Sequence, residues 1–333
     1  MKKFVNDPAK FVPEMLEGIA LANPGKLKYE PKYNIIYRAD RPKKDRVSVI
    51  QGSGSGHEPA HVMAVGPGML DAASPGNVFA APPMEYCLEC IKLMNSPKGV
   101  LVLINNYQGD RMNWDMAIEM AQAEGIEVKS FIIDDDVAVQ NSSYTVGRRG
   151  VAGNFFVIKA CGAAAEKGAS LDDLLKLAAK VNANVRSMGV ALTSCTPPAK
   201  GKPIFEIGDD EMEVGVGIHG EPGRTRTKIA TADEITEMLA TPILDDLPFQ
   251  SGDRVLAFVN GMGGTPLIEL YVVFNKLAQI CASRGITIER SLVGSYITSL
   301  EMAGASLTVL ELDEELTRYW DSPVHTPALR WGI

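Results

Sequence analysis

The chain of 333 residues has 46% hydrophobic and 22% charged side chains, a composition that excludes disorder, collagen and coiled coil and, at roughly 100–200 residues per domain, suggests about two globular domains. Its formal charge of -8 leaves no basic surface to neutralise nucleic-acid phosphates or anionic lipid, so no nucleic acid and no membrane are expected as partners. The amino terminus reaches Asn6, Asp7 and Pro8 before any apolar run and does not read as a signal peptide. The apolar stretches 100–104 and 255–259 fall far short of the roughly 20 residues of a membrane span, and a cytoplasmic protein is expected.

Along the chain, short β-branched runs alternate with stretches of helical period, the signature of α/β layering. A strand at 47–50 feeds the small-residue loop 52–61, and a helix is expected at 84–95. There Cys87 and Cys90 stand with no second pair or histidine to complete a metal site, and the five cysteines in all fit buried, reduced thiols. A strand at 100–104 runs into the polar cluster 105–110, then a helix at 112–124 and a strand at 128–133 ending on Asp134, Asp135 and Asp136, expected to form a solvated turn with one capping aspartate. Arg148 and Arg149 follow, expected to pair with that turn or to contact a subunit. Helices at 153–167 and 171–185 come next, the second opened by Ser170 as N-cap with Asp173 three residues on. Three prolines and a glycine in the SCTPPAKGKP stretch then break the pattern. Beyond it lie a strand at 214–218 leading to His219, a helix at 232–239, a strand at 255–259 with the loop 260–266, a helix at 266–284, and strands at 286–293 and 307–312. The fold expected is two α/β domains, 1–183 and 184–333, each with a central mixed, largely parallel sheet flanked by helices.

Three of the four histidines fall in two Gly-rich clusters, 52–61 and 215–223. Open α/β sheets bind ligands at the carboxyl ends of their strands, and glycines and serines there let backbone N–H groups approach a small polar molecule, so the loop is either such a cradle or a tight turn. The loop has no Lys-Ser/Thr after its glycines and is not a P-loop; His57 displaces the third glycine of G-x-G-x-x-G. His57 and His61 formally match the zinc pattern H-E-x-x-H, but Pro59 breaks the helix that pattern needs and no third ligand follows at a familiar spacing, so no metal is expected. Asp110 is either the cap of the following helix or, if it faces His57, half of a carboxylate–imidazole pair able to deprotonate a hydroxyl. His219, flanked by residues of little bulk, is open to approach.

In order along the chain occur GSGHEPAH at 54–61, NYQGDRMN at 106–113, GRRGVAG at 147–153, GIHGEPG at 217–223, VNGMGGTPL at 259–267 and SLEMAGASLT at 299–308. Together these motifs resemble the dihydroxyacetone kinase family, in its substrate-binding K subunit, over essentially the whole chain. The resemblance implies a homodimer that holds dihydroxyacetone as a hemiaminal on His219, with His57 and Asp110 acting on the substrate hydroxyls. It also implies that Gly54, Ser55, Gly56, His57, Asn105 and Asp110 line the ketose site. No nucleotide cofactor is expected on this chain, which has no Walker A motif; ADP or ATP with magnesium belongs to a separate L subunit, and an M subunit of a phosphoenolpyruvate phosphotransferase chain is the implied source of phosphate. Two positions depart from the family. Asn105 stands where a lysine is usual, and Ser53 where a third glycine is usual. They leave open a kinase subunit for another small ketose, such as a tetrulose, and a non-catalytic sensor of dihydroxyacetone that co-activates transcription is the other alternative.

Overall fold

Two mixed six-stranded sheets organise the chain, in a computed structural model that describes residues 2–40, 45–139, 147–247 and 249–332. Helix α1 (Phe11–Ala22) precedes the first sheet, made of β1 (Leu27–Glu30), β2 (Ile35–Arg38), β3 (Ser48–Gln51), β4 (Ala72–Ala73), β5 (Val100–Asn105) and β6 (Val128–Ile133) in the order β1-β2-β4-β3-β5-β6. Helices α2 (Met84–Leu93) and α3 (Gln108–Ala123) cover one face of it, and α4 (Asn154–Glu166) and α5 (Leu171–Ala183) lie on the other. The chain then enters the second sheet with β7 (Val185–Ala191), β8 (Glu211–Val214) and β9 (Thr225–Lys228), followed by α6 (Ala232–Asp246), β10 (Arg254–Gly261), α7 (Leu267–Ser283), β11 (Thr287–Gly294) and β12 (Gly304–Glu311). Helix α8 (Glu314–Asp321) and the short pair β13 (Val324–His325) and β14 (Arg330–Trp331) close the chain.

The expectation of two α/β units with mixed sheets holds, but their strand directions differ. In the first sheet β4, β3, β5 and β6 run parallel, and all six residues of β5 are buried, as in a parallel strand covered on both faces. In the second sheet, ordered β11-β10-β12-β7-β8-β9, only β10 and β11 pair in parallel. The other four pairings are antiparallel, so "largely parallel" is corrected there. The reason lies in the connections: β7, β8 and β9 follow one another with no helical crossover, which parallel pairing requires.

Helix α4 sits at the centre. Every residue from Asn154 to Ala165 is buried, as expected of a helix that is apolar around most of its circumference. Phe155, Phe156 and Cys161 belong to one continuous cluster with Leu101 and Leu103 of the first sheet and Leu256 and Phe258 of the second. On the far face of the second sheet, Leu239, Ile243, Leu270 and Leu277 from α6 and α7 pack on Val255, Ala257 and Val259.

Several boundaries differ from expectation for identifiable reasons. The strand expected at 214–218 ends at Val214, because Gly215 takes the left-handed φ of +84° that glycine tolerates and donates its N–H to the Gly189 carbonyl. Helix α6 continues past Pro242 to Asp246, since Ile243 and Leu244 are fully buried against the sheet. Ser170 caps α5 as expected, accepting the Asp173 N–H.

Phe258 is completely buried and its ring meets those of Phe155, Phe156 and Tyr296 at 5.8–6.3 Å between centroids. Phe258→Ala is expected to cost about 3–5 kcal/mol in urea unfolding; a loss below about 1 kcal/mol would show that the central cluster does not hold the sheets together.

Candidate active site

The site forms where loops at the ends of β3, β5 and β8 converge. The loop after β3 lies along the segment 76–79. Ser55 N–H donates to Asn77 O at 3.2 Å and Ser55 Oγ to Gly76 O at 2.6 Å, while Phe79 N–H donates to Ser55 O at 2.9 Å. Gly56 N–H is taken by the Glu58 carboxylate at 3.0 Å. The donors of Ser55 and Gly56 are therefore spent on holding the loop, and of the expected cradle only Gly54 borders the open cleft beside His219.

His57 at the end of this loop is fully buried. Its Nδ1 lies 2.7 Å from the Thr298 carbonyl oxygen, which can only accept, so Nδ1 carries the proton and Nε2 the lone pair. Nε2 has no hydrogen-bond partner. Burial, reinforced by the neighbouring His219, holds the pKa well below 6.5, so the ring is a neutral base at physiological pH.

His219 stands on the loop that Gly215 opens. Its Nδ1 is 2.9 Å from Glu221 Oε1, and its backbone N–H donates to Glu221 Oε2 at 3.0 Å. Burial works to raise the Glu221 pKa, but His219 and then Arg149 outweigh it and hold the carboxyl at about 2. A carboxylate accepts only, so Nδ1 of His219 carries a proton, and in the neutral ring the lone pair is on Nε2. The His219 ring lies edge-on to those of Tyr107 at 4.6 Å and His57 at 4.7 Å, with Phe79 at 5.4 Å.

Asp110, in the first turn of α3, borders the same cleft as His219 and makes no hydrogen bond to His57. It is not the helix cap: that position falls to Tyr107, which makes no side-chain cap. The reason is that Asp110 is turned inward, where its Oδ2 accepts from Ser53 Oγ at 2.8 Å and its Oδ1 has no partner. Burial raises its pKa to about 7 against the opposing pull of Ser53 and His219. Ser53, where a glycine was expected, is thus a ligand of the acid. Asn105 lies apart from this group, in a buried amide network in which Gln51 Nε2 donates to it at 3.3 Å and to Asn154 at 2.9 Å. Asn154 in turn meets His61 Nδ1 at 3.1 Å.

The cleft over these groups has a volume of about 830 Å³ and is walled by Phe79, Tyr107, Asp110, Phe205, His219 and Glu221. A bare imidazole nitrogen at its surface can attack a carbonyl, and a second neutral imidazole with a near-neutral carboxyl can take a proton from a hydroxyl beside it. Among the described residues no group of three or more His, Cys, Asp or Glu is placed to hold a metal ion. The acidic turn is corrected: Asp135 and Asp136 are buried, not solvated, because Asp135 accepts the Val151 and Gly153 N–H groups and Asp136 pairs with Arg149 at 2.6 Å. Sequence reasoning missed Glu221 and Phe79. Glu221 had a signal in its position two residues after His219; Phe79, with φ of +59°, had none.

A sequence profile of the Dak1 domain matches residues 17–328. The chain is 45% identical, over 100% of both chains, to the PEP-dependent dihydroxyacetone kinase, dihydroxyacetone-binding subunit of Escherichia coli (strain K12). Its fold is similar to that of a dihydroxyacetone kinase operon co-activator, with a TM-score of 0.89 and 35% identity over 95% of this chain and 97% of that one. It is also similar to the dihydroxyacetone kinase of C. freundii, with a TM-score of 0.87 and 32% identity over 99% of this chain and 60% of that one.

An Asp110 carboxyl raised to about 7 in the fold, against 3.8 for the free side chain, subtracts stability as pH rises between those values and subtracts it fully above the higher one. Asp110→Asn is therefore expected to raise the melting temperature at about pH 8 and to leave it nearly unchanged at about pH 4. Equal shifts at both pH values in scanning calorimetry would contradict the buried, unpaired acid.

Proposed function

The chain belongs to the Dak1 domain family, and we propose that it is the dihydroxyacetone-binding subunit of a dihydroxyacetone kinase, holding the ketose covalently on His219 for phosphorylation by a separate subunit. The observation that carries this function is the Glu221–His219 pair, which occupies Nδ1 and leaves Nε2, the lone-pair atom of the neutral ring, for a ketose in the cleft. In capture, Nε2 adds to the ketone carbon and the carbonyl π pair moves to oxygen, which takes up a proton. Nothing leaves, and the ionised Glu221 offsets the positive charge on the ring. Glycerol has no carbonyl and is rejected on that ground. Capture fixes a terminal hydroxyl for in-line transfer, in which the hydroxyl oxygen attacks the donor phosphorus as the bond from that phosphorus to its leaving oxygen breaks, and the hydroxyl proton passes to His57 Nε2.

We place ADP or ATP with magnesium on an L subunit docked over the cleft, recharged through an M subunit of a phosphoenolpyruvate phosphotransferase chain; the name of the Escherichia coli relative supports this donor. A homodimer is supported by Leu267, Ile268, Tyr271 and Val272, which expose about half or more of their surface on α7 next to the edge strand β11. The cytoplasm fits five buried cysteines in no disulfide and, among the described residues, the lack of any helix long and apolar enough to cross a membrane. The similarity to a co-activator favours a second function, a dihydroxyacetone sensor. A sensor needs the capturing histidine but not the unpartnered base at His57, and that favours the kinase.

Transfer of phosphate to a panel of small ketoses, with this chain alone and with L subunit and donor system added, separates the two. Turnover of dihydroxyacetone only in the complete mixture is expected; capture without turnover of any ketose would make the chain a sensor. His219→Ala is expected to abolish capture, read by native mass spectrometry as loss of a species heavier by one whole ketose. His57→Ala is expected to keep capture and lower transfer by roughly 10²–10⁴. Ile268→Glu is expected to halve the mass measured by light scattering, and a native chain that is already monomeric would remove the dimer.

A further inference from the structure

The acidic turn and the basic pair flanking 147–153 are not used by capture or transfer as set out above, yet they converge beneath the nucleophile. Asp135 fixes the turn by accepting Val151 N–H at 2.8 Å and Gly153 N–H at 2.7 Å, and Asp136 N–H donates to the Arg149 carbonyl at 3.0 Å. The Arg149 side chain is completely buried. Its Nε and Nη2 reach Asp136 Oδ2 at 2.7 and 2.6 Å, and Nη2 also donates to the Gly215 carbonyl at 2.7 Å. Gly215 begins the loop that carries His219. One guanidinium therefore ties the exit of β6 to the nucleophile's loop.

Its remaining nitrogen is the informative one. Nη1 is buried without a hydrogen-bond partner, a cost in a desolvated site unless a charge stands opposite. Glu221 stands there. A Cβ built on Gly217 would lie 2.7 Å from Arg149 Nη1 and 2.0 Å from Glu221 Oε2, so the bare face of the guanidinium looks across this glycine at the carboxylate that holds His219. Arg148 does not share the role, since it pairs with Asp246 at the surface. An ionised Glu221 is what keeps the His219 proton on Nδ1; protonated, it could no longer accept it strongly, and the proton would be free to move to Nε2 and block the lone pair.

We infer that Arg149, seated by Asp136, is a positioning residue for ketose capture: acting through Glu221 across Gly217, it keeps His219 in the tautomer whose Nε2 is free. This role rests on His219 being the capturing nucleophile. It explains why a glycine stands between the two charges, where any side chain would part them. It also gives the paired arginine and aspartate a task beyond joining two layers of the fold.

The test uses the full chain with dihydroxyacetone, reading capture by native mass spectrometry and the His219 tautomer by nitrogen-15 NMR of the ring, in Arg149→Met, Arg149→Lys and Asp136→Asn. Arg149→Met is expected to weaken capture about tenfold, the lower end of the loss seen when an outer orienting group is removed at metal sites, and to mix the tautomers. Arg149→Lys, which keeps the charge, is expected to retain the Nδ1–H form. A folded Arg149→Met that captures and titrates like the native chain would overturn the role, as would equal losses in the Met and Lys variants, which would mean packing rather than charge. Should Arg149→Met not fold, Asp136→Asn decides, because it removes the carboxylate that seats Arg149 and leaves Glu221 and His219 in place: weakened capture with mixed tautomers supports the role and unchanged capture overturns it. Absence of capture by the native chain would instead overturn the assignment of His219 and the role of Arg149 with it.

Discussion

The hydrogen bond from His219 Nδ1 to Glu221, 2.9 Å long, decides which nitrogen of the nucleophile can react, and the surrounding structure is arranged to keep it. Glu221 is buried, where an isolated carboxylate would protonate, and His219, the hydrogen bonds it accepts and Arg149 together outweigh desolvation and keep it ionised. The same low-dielectric surroundings act in opposite senses on the neighbouring groups. They push the His57 ring to its neutral form and raise the Asp110 carboxyl toward neutrality. One site thus holds a nucleophile oriented through Nδ1, a neutral base and an acid near its titration point, each set by what it touches rather than by residue type.

The fold supplies this arrangement by bringing loops from two sheets together. His57 and Asp110 follow strands of the first sheet and His219 follows a strand of the second. The buried helix α4, packed in the cluster that spans both sheets, fixes their separation. Thr298, in the connection between β11 and β12, crosses back to accept the His57 proton and to donate from its hydroxyl to the Glu58 carbonyl at 3.0 Å. The site therefore depends on the docking of the two sheets and not on either alone, which is why a neutral core residue such as Phe258, remote from the chemistry, matters to it.

The elements read correctly in the sequence are those whose apolar runs are continuous or strictly periodic. Strands β5, β6 and β10 and helices α2, α5 and α7 fall within two residues of expectation at every end. Strand β4 is two alanines and has no pattern to detect, and β7 is disguised by Arg186 and Ser187, whose polar side chains are paired with Asp246 and Thr308 across the fold. The clustering of His57, Asp110 and His219 was legible because small-residue loops at strand ends are where such sheets bind ligands. What the loops do in detail was not: Ser55 and Gly56 spend their donors internally, Asn105 accepts from Gln51 and keeps a buried, unpartnered Nδ2, and Asp136 is buried because Arg149 reaches it from 13 residues away. Those facts depend on partners that no local pattern specifies.

Carbon-13 NMR of dihydroxyacetone labelled at the carbonyl carbon, titrated with the chain, tests covalent capture most directly. The bound ketone signal should vanish and be replaced by one in the range of a tetrahedral carbon bonded to nitrogen and oxygen, coupled to nitrogen-15 when the histidine rings are labelled. A bound ligand that keeps its carbonyl signal would contradict the account, leaving a cleft that recognises the ketose without the bond for which His219 and Glu221 are arranged.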